Sequence, residues 1–344
     1  MTVTTPFVMG VDIGYSGVKL AYGPAAMEPI LRNLPTGAAP LAQMPKTFDG
    51  APDLRGGLQV LVDGAPYAAG VQPSQIQGYT RVLHEDYPAS AEYLALFYAA
   101  LLTAGRETID VLVTGLPVSQ HSEAGGARRR QLAERLQRIH YVDGQHAIEV
   151  KRVVVLPQPV GAYMEQVVSA PALQRHPEAR VLVVDPGFYS MDWVCIEAGA
   201  VRDATSGTTM DAMSKVLEAA ARDIAETHRP AVQRVPIDRM EHALREGRDT
   251  ILLGGREVIF RPYIDAAAER VAAAAVNAIR GQMRAGENID YVVLAGGAAP
   301  FYEGPFRRAF TGTEVLLSPQ PVLANARGFF LAARRAVRDL RSAA

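Results

Sequence analysis

The chain has 344 residues, with 35 basic and 36 acidic side chains and a formal net charge of −1. This length suits two α/β domains better than one simple core, and a hydrophobic content of 49% favours a globular fold over disorder. The balanced charge argues against bulk electrostatic binding to DNA or to an anionic membrane.

The cysteine content and the N-terminal residues predict a location. Cys195 is the single cysteine, so no disulfide can form within the chain, and a reducing cytoplasm is favoured. Residues 1–10 lack the basic segment and apolar run of a signal peptide. No stretch reaches the roughly 18–20 apolar residues of a transmembrane helix. We therefore expect a cytoplasmic protein without a membrane segment.

Near the N-terminus, an apolar strand runs into Asp12, followed by a glycine-rich turn and a returning strand. Gly14 and Gly17 allow a tight turn whose N–H groups point inward and form a nest for phosphate oxygens. Ser16 can add a hydroxyl donor, and Lys19 could place its ammonium on a β- or γ-phosphate. Asp12 would hold the water shell of Mg²⁺. The alternative is a plain hairpin in which Asp12 and Gly14 only form the turn.

The segment that follows, residues 24–88, is interpreted as an insertion with strands of its own. Hydrophobic periodicity and turn signals then predict further elements: a strand over 58–62 with a turn at 63–64, a helix over 89–105, a strand over 110–114, a basic helix over 126–140, a strand over 147–155 and a helix over 160–169. The arginines of the basic helix are interpreted as a solvated face.

Gln158 lies between the last of these strands and the last helix, at a strand end where sites collect in α/β sheets. A glutamine is no strong general base, but it can orient a water for in-line attack on a γ-phosphate. Capping of the following helix is the alternative interpretation.

The opening pattern returns in the second half, where an apolar strand runs into Asp185 within a strand pair over 181–197. Asp185 is a second carboxylate for metal-bound water, and the Gly187 backbone could contact phosphate. Pro186 removes one backbone donor from this turn. Two such units at matching positions predict related domains that face one cleft, and this arrangement suits a metal-bound polyphosphate.

Two further turns could contact a nucleoside. Ser206 and Gly207 could present a hydroxyl and backbone to ribose, or the segment could cap the next helix. Gly296, Gly297 and Ala298 break an apolar strand, so a flat base could lie against the backbone there; a tight strand–helix turn is the alternative.

The remaining predicted elements are a helix over 209–228, a variable region over 229–262, a helix over 263–285, strands over 291–294 and 314–317, and a helix over 322–341.

In this order and spacing, five segments resemble the actin-like ATPase superfamily, and within it the plasmid-segregation actins of the ParM/StbA type. The segments are residues 12–19, the region of Gln158, residues 185–190, residues 294–300 and residues 324–329. The resemblance implies two ribonuclease-H-like α/β domains, with mixed sheets flanked by helices and a nucleotide cleft between them. Domain I would be residues 1–165, with the helix 322–344 packing back on it, and domain II residues 166–321.

The resemblance also implies Mg-ATP as the bound cofactor. Asp12 and Asp185 would sit around Mg²⁺ and its waters, and Gln158 would place the attacking water, as catalytic residues. The expected nucleotide contacts are Gly14, Tyr15, Ser16, Gly17, Lys19, Gly187, Phe188, Ser206, Gly207, Gly296, Gly297 and Ala298.

The function implied by the resemblance is an ATPase that polymerises head to tail and segregates plasmid DNA. A DNA-binding adaptor protein is the expected partner, with no direct contact to nucleic acid or membrane. Two alternatives use the same fold. A small-molecule kinase would need a carboxylate to accept the proton of the substrate hydroxyl, and a nucleotide-dependent scaffold or chaperone would not polymerise.

Overall fold

The computed structural model describes residues 5–79, 86–122, 126–229, 232–283 and 288–342. The chain divides into two compact units. Unit 1 comprises Met1–Pro177 and Ser318–Ala344, and unit 2 comprises Glu178–Leu317. The predicted divisions, after residues 165 and 321, lie at other positions, and the first of them falls inside the helix that starts at Gln158.

The strands of the described residues, in chain order, are β1 (Phe7–Ile13), β2 (Val18–Pro24), β3 (Ile30–Leu34), β4 (Gly37–Pro40), β5 (Leu58–Val62), β6 (Ala65–Val71), β7 (Thr108–Ile109), β8 (Val111–Leu116), β9 (Ile139–Tyr141), β10 (Ala147–Val150), β11 (Val153–Pro157), β12 (Arg180–Pro186), β13 (Met191–Glu197), β14 (Ala200–Val201), β15 (Gly207–Thr209), β16 (Thr250–Leu253), β17 (Arg256–Ile259), β18 (Tyr291–Leu294) and β19 (Glu314–Leu317). The α-helices are α1 (Ala91–Ala104), α2 (Val118–Ser122), α3 (Ala127–Leu136), α4 (Gln158–Ser169), α5 (Pro171–Arg175), α6 (Met213–Thr227), α7 (Ile237–Arg245), α8 (Arg261–Gln282), α9 (Ala299–Ala309) and α10 (Ala324–Ser342). Within these described ranges, no helix is long and apolar enough to cross a membrane.

The main sheet of unit 1 has the order β11-β8-β1-β2-β3, with β11, β8 and β1 parallel and β1 to β3 antiparallel. Successive residues of β1 point to opposite faces, as the pleat requires. Met9 and Val11 pack into the cluster that contains α1. Val8 packs with Phe329 and Phe330 of α10 on the other face. Because both faces are covered, β1 is apolar along nearly its whole length.

The main sheet of unit 2 has the order β14-β13-β12-β18-β19, and β15 adds to β13. The five strands of each main sheet can be numbered in chain order, leaving out β15. Read from β11 in unit 1 and from β19 in unit 2, both sheets then have the order fifth, fourth, first, second, third. As in unit 1, one part of the sheet is parallel and the other antiparallel: β12, β18 and β19 are parallel, and β12 to β14 are antiparallel. The mixed sheets flanked by helices that the sequence predicts are therefore present, and unit 2 repeats the topology of unit 1.

Several predicted elements need correction. The strand predicted over 147–155 is wrong, because β10 joins a small sheet with β7 and β9 while β11 joins the main sheet. The helix predicted over 126–140 ends at Leu136, because Ile139–Tyr141 pairs with β10. The predicted insertion begins later than residue 24, since β3 belongs to the main sheet. The variable region contains α7 and the β16–β17 hairpin.

Two glycines allow α4 and α10 to pack backbone against backbone. A Cβ atom at Gly328 would lie 1.7 Å from the carbonyl oxygen of Gly161. At Gly161, a Cβ atom would lie 2.6 Å from the carbonyl oxygen of Asn325. The side-chain oxygen of Asn325 accepts a hydrogen bond from the N–H of Ala162 at 3.2 Å. This crossing fixes α4, and with it the position of Gln158 at the start of the helix.

Candidate functional site

Asp12 brings together three of the predicted site residues of unit 1. It stands near the end of β1, directly opposite Lys19 on β2, and is only 4% exposed. The Nζ atom of Lys19 lies 3.2 Å from Oδ2 of Asp12. The Nε2 atom of Gln158 donates to Oδ1 of the same carboxylate at 3.2 Å. The buried charge is thus compensated by one cation and one amide donor, as a buried carboxylate requires.

Gln158 is the first residue of α4 and follows β11 directly. Room for its side chain comes from Gly115 on β8, where a Cβ atom would lie 2.8 Å from Cγ of Gln158. The amide nitrogen donates to Asp12, and the side-chain oxygen is the acceptor atom of Gln158. An amide oxygen held in this way can orient a water molecule but cannot remove its proton.

The first loop is closed by a hydrogen bond from the N–H of Gly14 to the carbonyl of Gly17, at 3.1 Å. A side chain at either glycine would require the end of a neighbouring polar side chain to move. A Cβ at Gly14 would lie 2.9 Å from Nζ of Lys19, and one at Gly17 would lie 2.6 Å from Oδ1 of Asn33. The N–H of Gly14 is therefore used inside the turn, and the phosphate nest around this loop stays a prediction. Tyr15 accepts a hydrogen bond from the Thr36 hydroxyl at its carbonyl, at 3.3 Å.

The second loop is closed in the same way, by the N–H of Gly187 donating to the carbonyl of Ser190 at 2.9 Å. Its other contacts run to the start of α6. The carbonyls of Gly187 and Phe188 accept from the N–H groups of Met213 and Ser214, at 3.2 and 2.8 Å. These two donors belong to the helix turn that lacks partners within the helix itself. The second loop therefore caps α6 with its carbonyls and is fixed to unit 2.

Asp185 occupies in unit 2 the position that Asp12 occupies in unit 1, and it packs against the second glycine-rich segment. Gly296 has a φ of +85°, and a Cβ there would lie 2.0 Å from Oδ1 of Asp185, so only glycine fits. A Cβ at Gly297 would meet no atom within 4 Å, so its surface is open. Ala298 is buried, and its N–H donates to the carbonyl of Pro186 at 3.1 Å. Of the predicted nucleoside segment, Gly297 is thus the residue with an open face.

Asp192 is a buried carboxylate that the sequence reasoning missed. It pairs with Asp185 across the β12–β13 hairpin, at the position that corresponds to Lys19 in unit 1. Oδ2 of Asp192 accepts from the Ser190 hydroxyl at 2.9 Å, and Oδ1 accepts from the Thr208 hydroxyl at 2.6 Å. The available signal was an aspartate inside an otherwise apolar strand. At this position unit 1 has the cation of Lys19, whereas unit 2 has the carboxylate of Asp192, which accepts a hydrogen bond from Ser190 in the second loop.

Ser206 and Gly207 have structural roles within unit 2. The hydroxyl of Ser206 donates to the carbonyl of Arg202 at 2.8 Å and accepts from the N–H of Cys195 at 3.1 Å. A Cβ atom at Gly207 would lie 2.6 Å from the ring of Trp193. The Ser206 hydroxyl is thus engaged within unit 2, and a contact of this segment with ribose stays a prediction.

Glu165 is a second buried carboxylate in unit 1, seven residues after Gln158 on α4. Its Oε2 atom accepts from the Ser318 hydroxyl at 3.2 Å and from the Gln166 amide at 3.0 Å. Arg327 of α10 lies 3.7 Å from Oε1. Burial raises the pKa of Glu165, and these polar partners oppose that rise. The cluster ties α4 to α10 and to Ser318, where the chain re-enters unit 1.

Comparison with known families agrees with this duplicated architecture. The model of the N-terminal domain of actin-like proteins matches residues 10–161. The model of the C-terminal domain of the archaeal MreB-like actin homologue matches residues 183–306. No curated protein matches the chain in sequence.

Solved structures of the same fold cover nearly the whole chain. The archaeal actin homologue Ta0583 is 20% identical, with a TM-score of 0.74, covering 95% of this chain and 99% of its own. Its complex with ADP is also similar, with a TM-score of 0.70 and 19% identity, covering 95% of this chain and 99% of that one. A chain from the structure of a 15-stranded ParM filament from Clostridium botulinum is 15% identical to this chain, with a TM-score of 0.75. The match covers 96% of this chain and 100% of that one. The predicted actin-like fold is confirmed. Built from an actin-like N-terminal domain and an MreB-like C-terminal domain, the chain belongs to the actin-like protein superfamily.

Proposed function

We propose that this chain is an ATPase that binds Mg-ATP and assembles into filaments. The observation that carries the proposal is the Asp12 cluster, in which one buried carboxylate holds both Lys19 and Gln158 at 3.2 Å. A lysine, a carboxylate and a water-orienting glutamine are the parts that phosphoryl transfer to water needs. The ADP complex of Ta0583, which shares the fold, supports a nucleotide as the ligand.

The donor set of each unit fits a magnesium ion held through water. Mg²⁺ keeps several of its waters and binds through one or two carboxylates, and each unit has one such carboxylate at the end of its first strand. Asp12 in unit 1 and Asp185 in unit 2 are each a candidate to hold water molecules of such an ion, which when bound neutralises charge on the phosphates. No group of three His, Cys, Asp or Glu side chains converges within the described ranges, and the proposed water-mediated contacts do not need one.

Each remaining residue has a separate role in the proposal. Lys19 carries an ammonium with three donors, so its contact with Asp12 leaves donors for a phosphate oxygen. Gln158 orients the attacking water with its side-chain oxygen. The loops closed by Gly14 and Gly187 contact phosphate, and the open face of Gly297 contacts the nucleoside. Asp12, Gln158 and Asp185 are thus the proposed catalytic residues.

The filament part of the proposal is supported by the ParM filament among the structures of this fold. Head-to-tail assembly uses two different surfaces of each subunit, so it need not close into a ring. We propose that these filaments move or position plasmid DNA. A net charge of −1 gives no basis for direct DNA binding, so a DNA-binding adaptor protein would connect the filament to its cargo. A cytoplasmic location belongs to the same proposal.

Phosphate release from ATP tests the site. We expect Asp12→Asn to lower the turnover rate by a factor of about 100 or more, since it removes the negative charge around which Lys19 and Gln158 are arranged. Asp110→Asn is the matched control. Asp110 also pairs with a lysine, Lys151, at 2.9 Å, and this pair lies outside the cluster. Turnover that survives in Asp12→Asn, or falls equally in the control, would contradict the site.

Sedimentation with ATP tests the assembly. We expect wild-type protein to pellet above a critical concentration with ATP and to stay in the supernatant without nucleotide. Turnover without any pellet at all concentrations would favour the scaffold alternative. Turnover that requires an added hydroxyl compound as phosphate acceptor would favour the kinase alternative.

A further inference from the structure

Tyr15, in the first loop, is held by a contact that comes from outside that loop. Its ring stacks on the ring of Tyr87, with centroids 4.9 Å apart and planes inclined by 27°. This lies within the range that aromatic pairs prefer. The Tyr15 carbonyl is held separately by the Thr36 hydroxyl. The position of the loop therefore depends on where Tyr87 is held.

Tyr87 in turn packs against Tyr93 of α1. The two rings meet edge to face, with centroids 5.6 Å apart and an angle of 85°. Tyr93 is almost completely buried in the first turn of α1, and its N–H donates to the hydroxyl of the N-cap residue Ser90 at 3.1 Å. Burial raises the pKa of Tyr93 to about 12, and the negative charge of Asp12 also raises it. Three rings thus connect the loop to the start of a buried helix beside Asp12.

The segment that carries Tyr87 is anchored independently by Arg135 of α3. The guanidinium of Arg135 donates to the carbonyls of Pro88 and Ser90, the latter at 2.8 Å. A planar guanidinium that contacts two backbone acceptors, two residues apart in the chain, restricts the segment more than a single hydrogen bond would. The sequence predicts a solvated face for this arginine, and the structure corrects that prediction.

We propose that Tyr15, Tyr87 and Tyr93 form an aromatic buttress that holds the first loop in the conformation that binds polyphosphate, with Tyr87 as a positioning residue. The proposal rests on the proposed nucleotide binding, because the phosphate chain is the ligand of this loop. A loop that is already ordered binds without the entropic cost of ordering. Loss of the buttress should therefore weaken nucleotide binding even when the rest of unit 1 stays folded.

Replacement of Tyr87 by leucine tests the buttress, with Tyr98→Leu as the matched control. Tyr98 is also buried in unit 1 and packs against aromatic rings, namely Phe97 and His140, away from the loop. We expect Tyr87→Leu to raise the dissociation constant for a non-hydrolysable ATP analogue about tenfold, which corresponds to the loss of two aromatic contacts. Tyr98→Leu should leave it unchanged. Tyr87→Phe keeps the ring and should bind as wild type does.

Hydrogen–deuterium exchange of residues 14–17 provides a readout that needs no nucleotide. We expect faster exchange of this loop in Tyr87→Leu than in wild type or in Tyr98→Leu. Equal loop exchange in the two leucine variants, or equal weakening of nucleotide binding by both, would overturn the buttress. If wild type binds no nucleotide, the proposed function fails, while the loop exchange still decides whether the buttress holds the loop.

Discussion

At the residue scale, buried charge in this protein is compensated by a few specific partners. Asp12 is balanced by an ammonium and an amide, whereas Asp192 at the corresponding position of Lys19 is held by two hydroxyls. Carboxylates lose solvation on burial and need such donors to stay ionised. The two hairpins have therefore diverged chemically while keeping one backbone geometry.

His140 predicts a measurable pH dependence. Its Nε2 donates to the carbonyl of Leu136 at 2.8 Å, while Nδ1 is buried without a hydrogen-bond partner in the described part of the chain. Burial lowers the pKa of His140 to about 4. The unfolded chain, with an ordinary value near 6.5, binds the proton first, so stability falls as the pH drops from about 6.5 to 4. We expect a loss of about 3 kcal/mol in the free energy of unfolding over this range.

Urea unfolding at several pH values measures this effect. The variant His140→Gln lacks the titrating ring, so its free energy of unfolding should fall less over the same range. His146→Gln replaces a histidine that is mostly exposed and should keep the pH dependence of wild type. The same pH dependence in all three proteins would contradict the assignment to His140.

Local sequence patterns mark some residues of the candidate site and leave others unmarked. Asp12 and Asp185 follow apolar strands and precede glycines, and those signals are contained in a few adjacent residues. Asp192 carries no such signal within its strand. The partners of Ser206 are the backbone groups of Cys195 and Arg202, and only the folded sheet brings them near. Contacts of this kind depend on pairing, which local patterns do not specify.

At the element scale, the crossing of α4 and α10 fixes the position of α4, the helix that begins at Gln158. The two helices meet at glycines, so their separation is set by backbone atoms and not by adaptable side chains. Glu165 adds a polar contact from α4 to Arg327 and Ser318 in the same crossing. The position of Gln158 relative to Asp12 is therefore determined by a rigid contact several residues away.

Substitution of Gly328 tests this crossing. A Cβ there would lie 1.7 Å from the Gly161 carbonyl oxygen, so we expect Gly328→Ala to lower the free energy of unfolding by about 3 kcal/mol or more. Gly281→Ala is the matched control. It lies in the helix α8 with no atom within 4 Å of an added Cβ, and should stabilise the protein by up to about 1 kcal/mol. Thermal unfolding of both variants measures this difference, and equal effects would contradict the close crossing.

Most elements were predictable because their hydrophobic runs are local, as for β1, β12 and α1. The predicted strand over 147–155 failed at Lys151 and Arg152, where one stretch of strand-forming residues serves two sheets. Nothing in the residues themselves marks that change of partner. The helix predicted over 126–140 failed for a related reason, since Ile139–Tyr141 is recruited by pairing with β10.

At the scale of the whole molecule, the two units share a sheet topology but differ in the path of the chain. Both main sheets have the same strand order, but unit 2 is one continuous segment, whereas unit 1 is built from two. The second segment supplies Phe329 and Phe330, which are fully buried against the sheet of unit 1. Unit 2 thus contains its whole core, and unit 1 does not without α10.

Expression of separate segments tests this difference. We expect residues 178–317 alone to fold and to unfold cooperatively in urea, because the segment contains a complete core. A chain that ends at residue 317 should keep unit 2 folded, while unit 1 should lose protection from proteolysis. Proteolysis followed by mass spectrometry identifies the protected segment. Protection of residues 5–79 in the truncated chain would contradict the dependence on α10.

The return of the chain to unit 1 also has a consequence for synthesis. A ribosome adding roughly 5–20 residues per second takes on the order of ten seconds to make unit 2, and only then does it make α10. During that interval the sheet face formed by Val8, Val111 and Val113 has no helix to cover it. Unit 2 can therefore complete its fold on the ribosome before unit 1, whose core is complete only when α10 has been made.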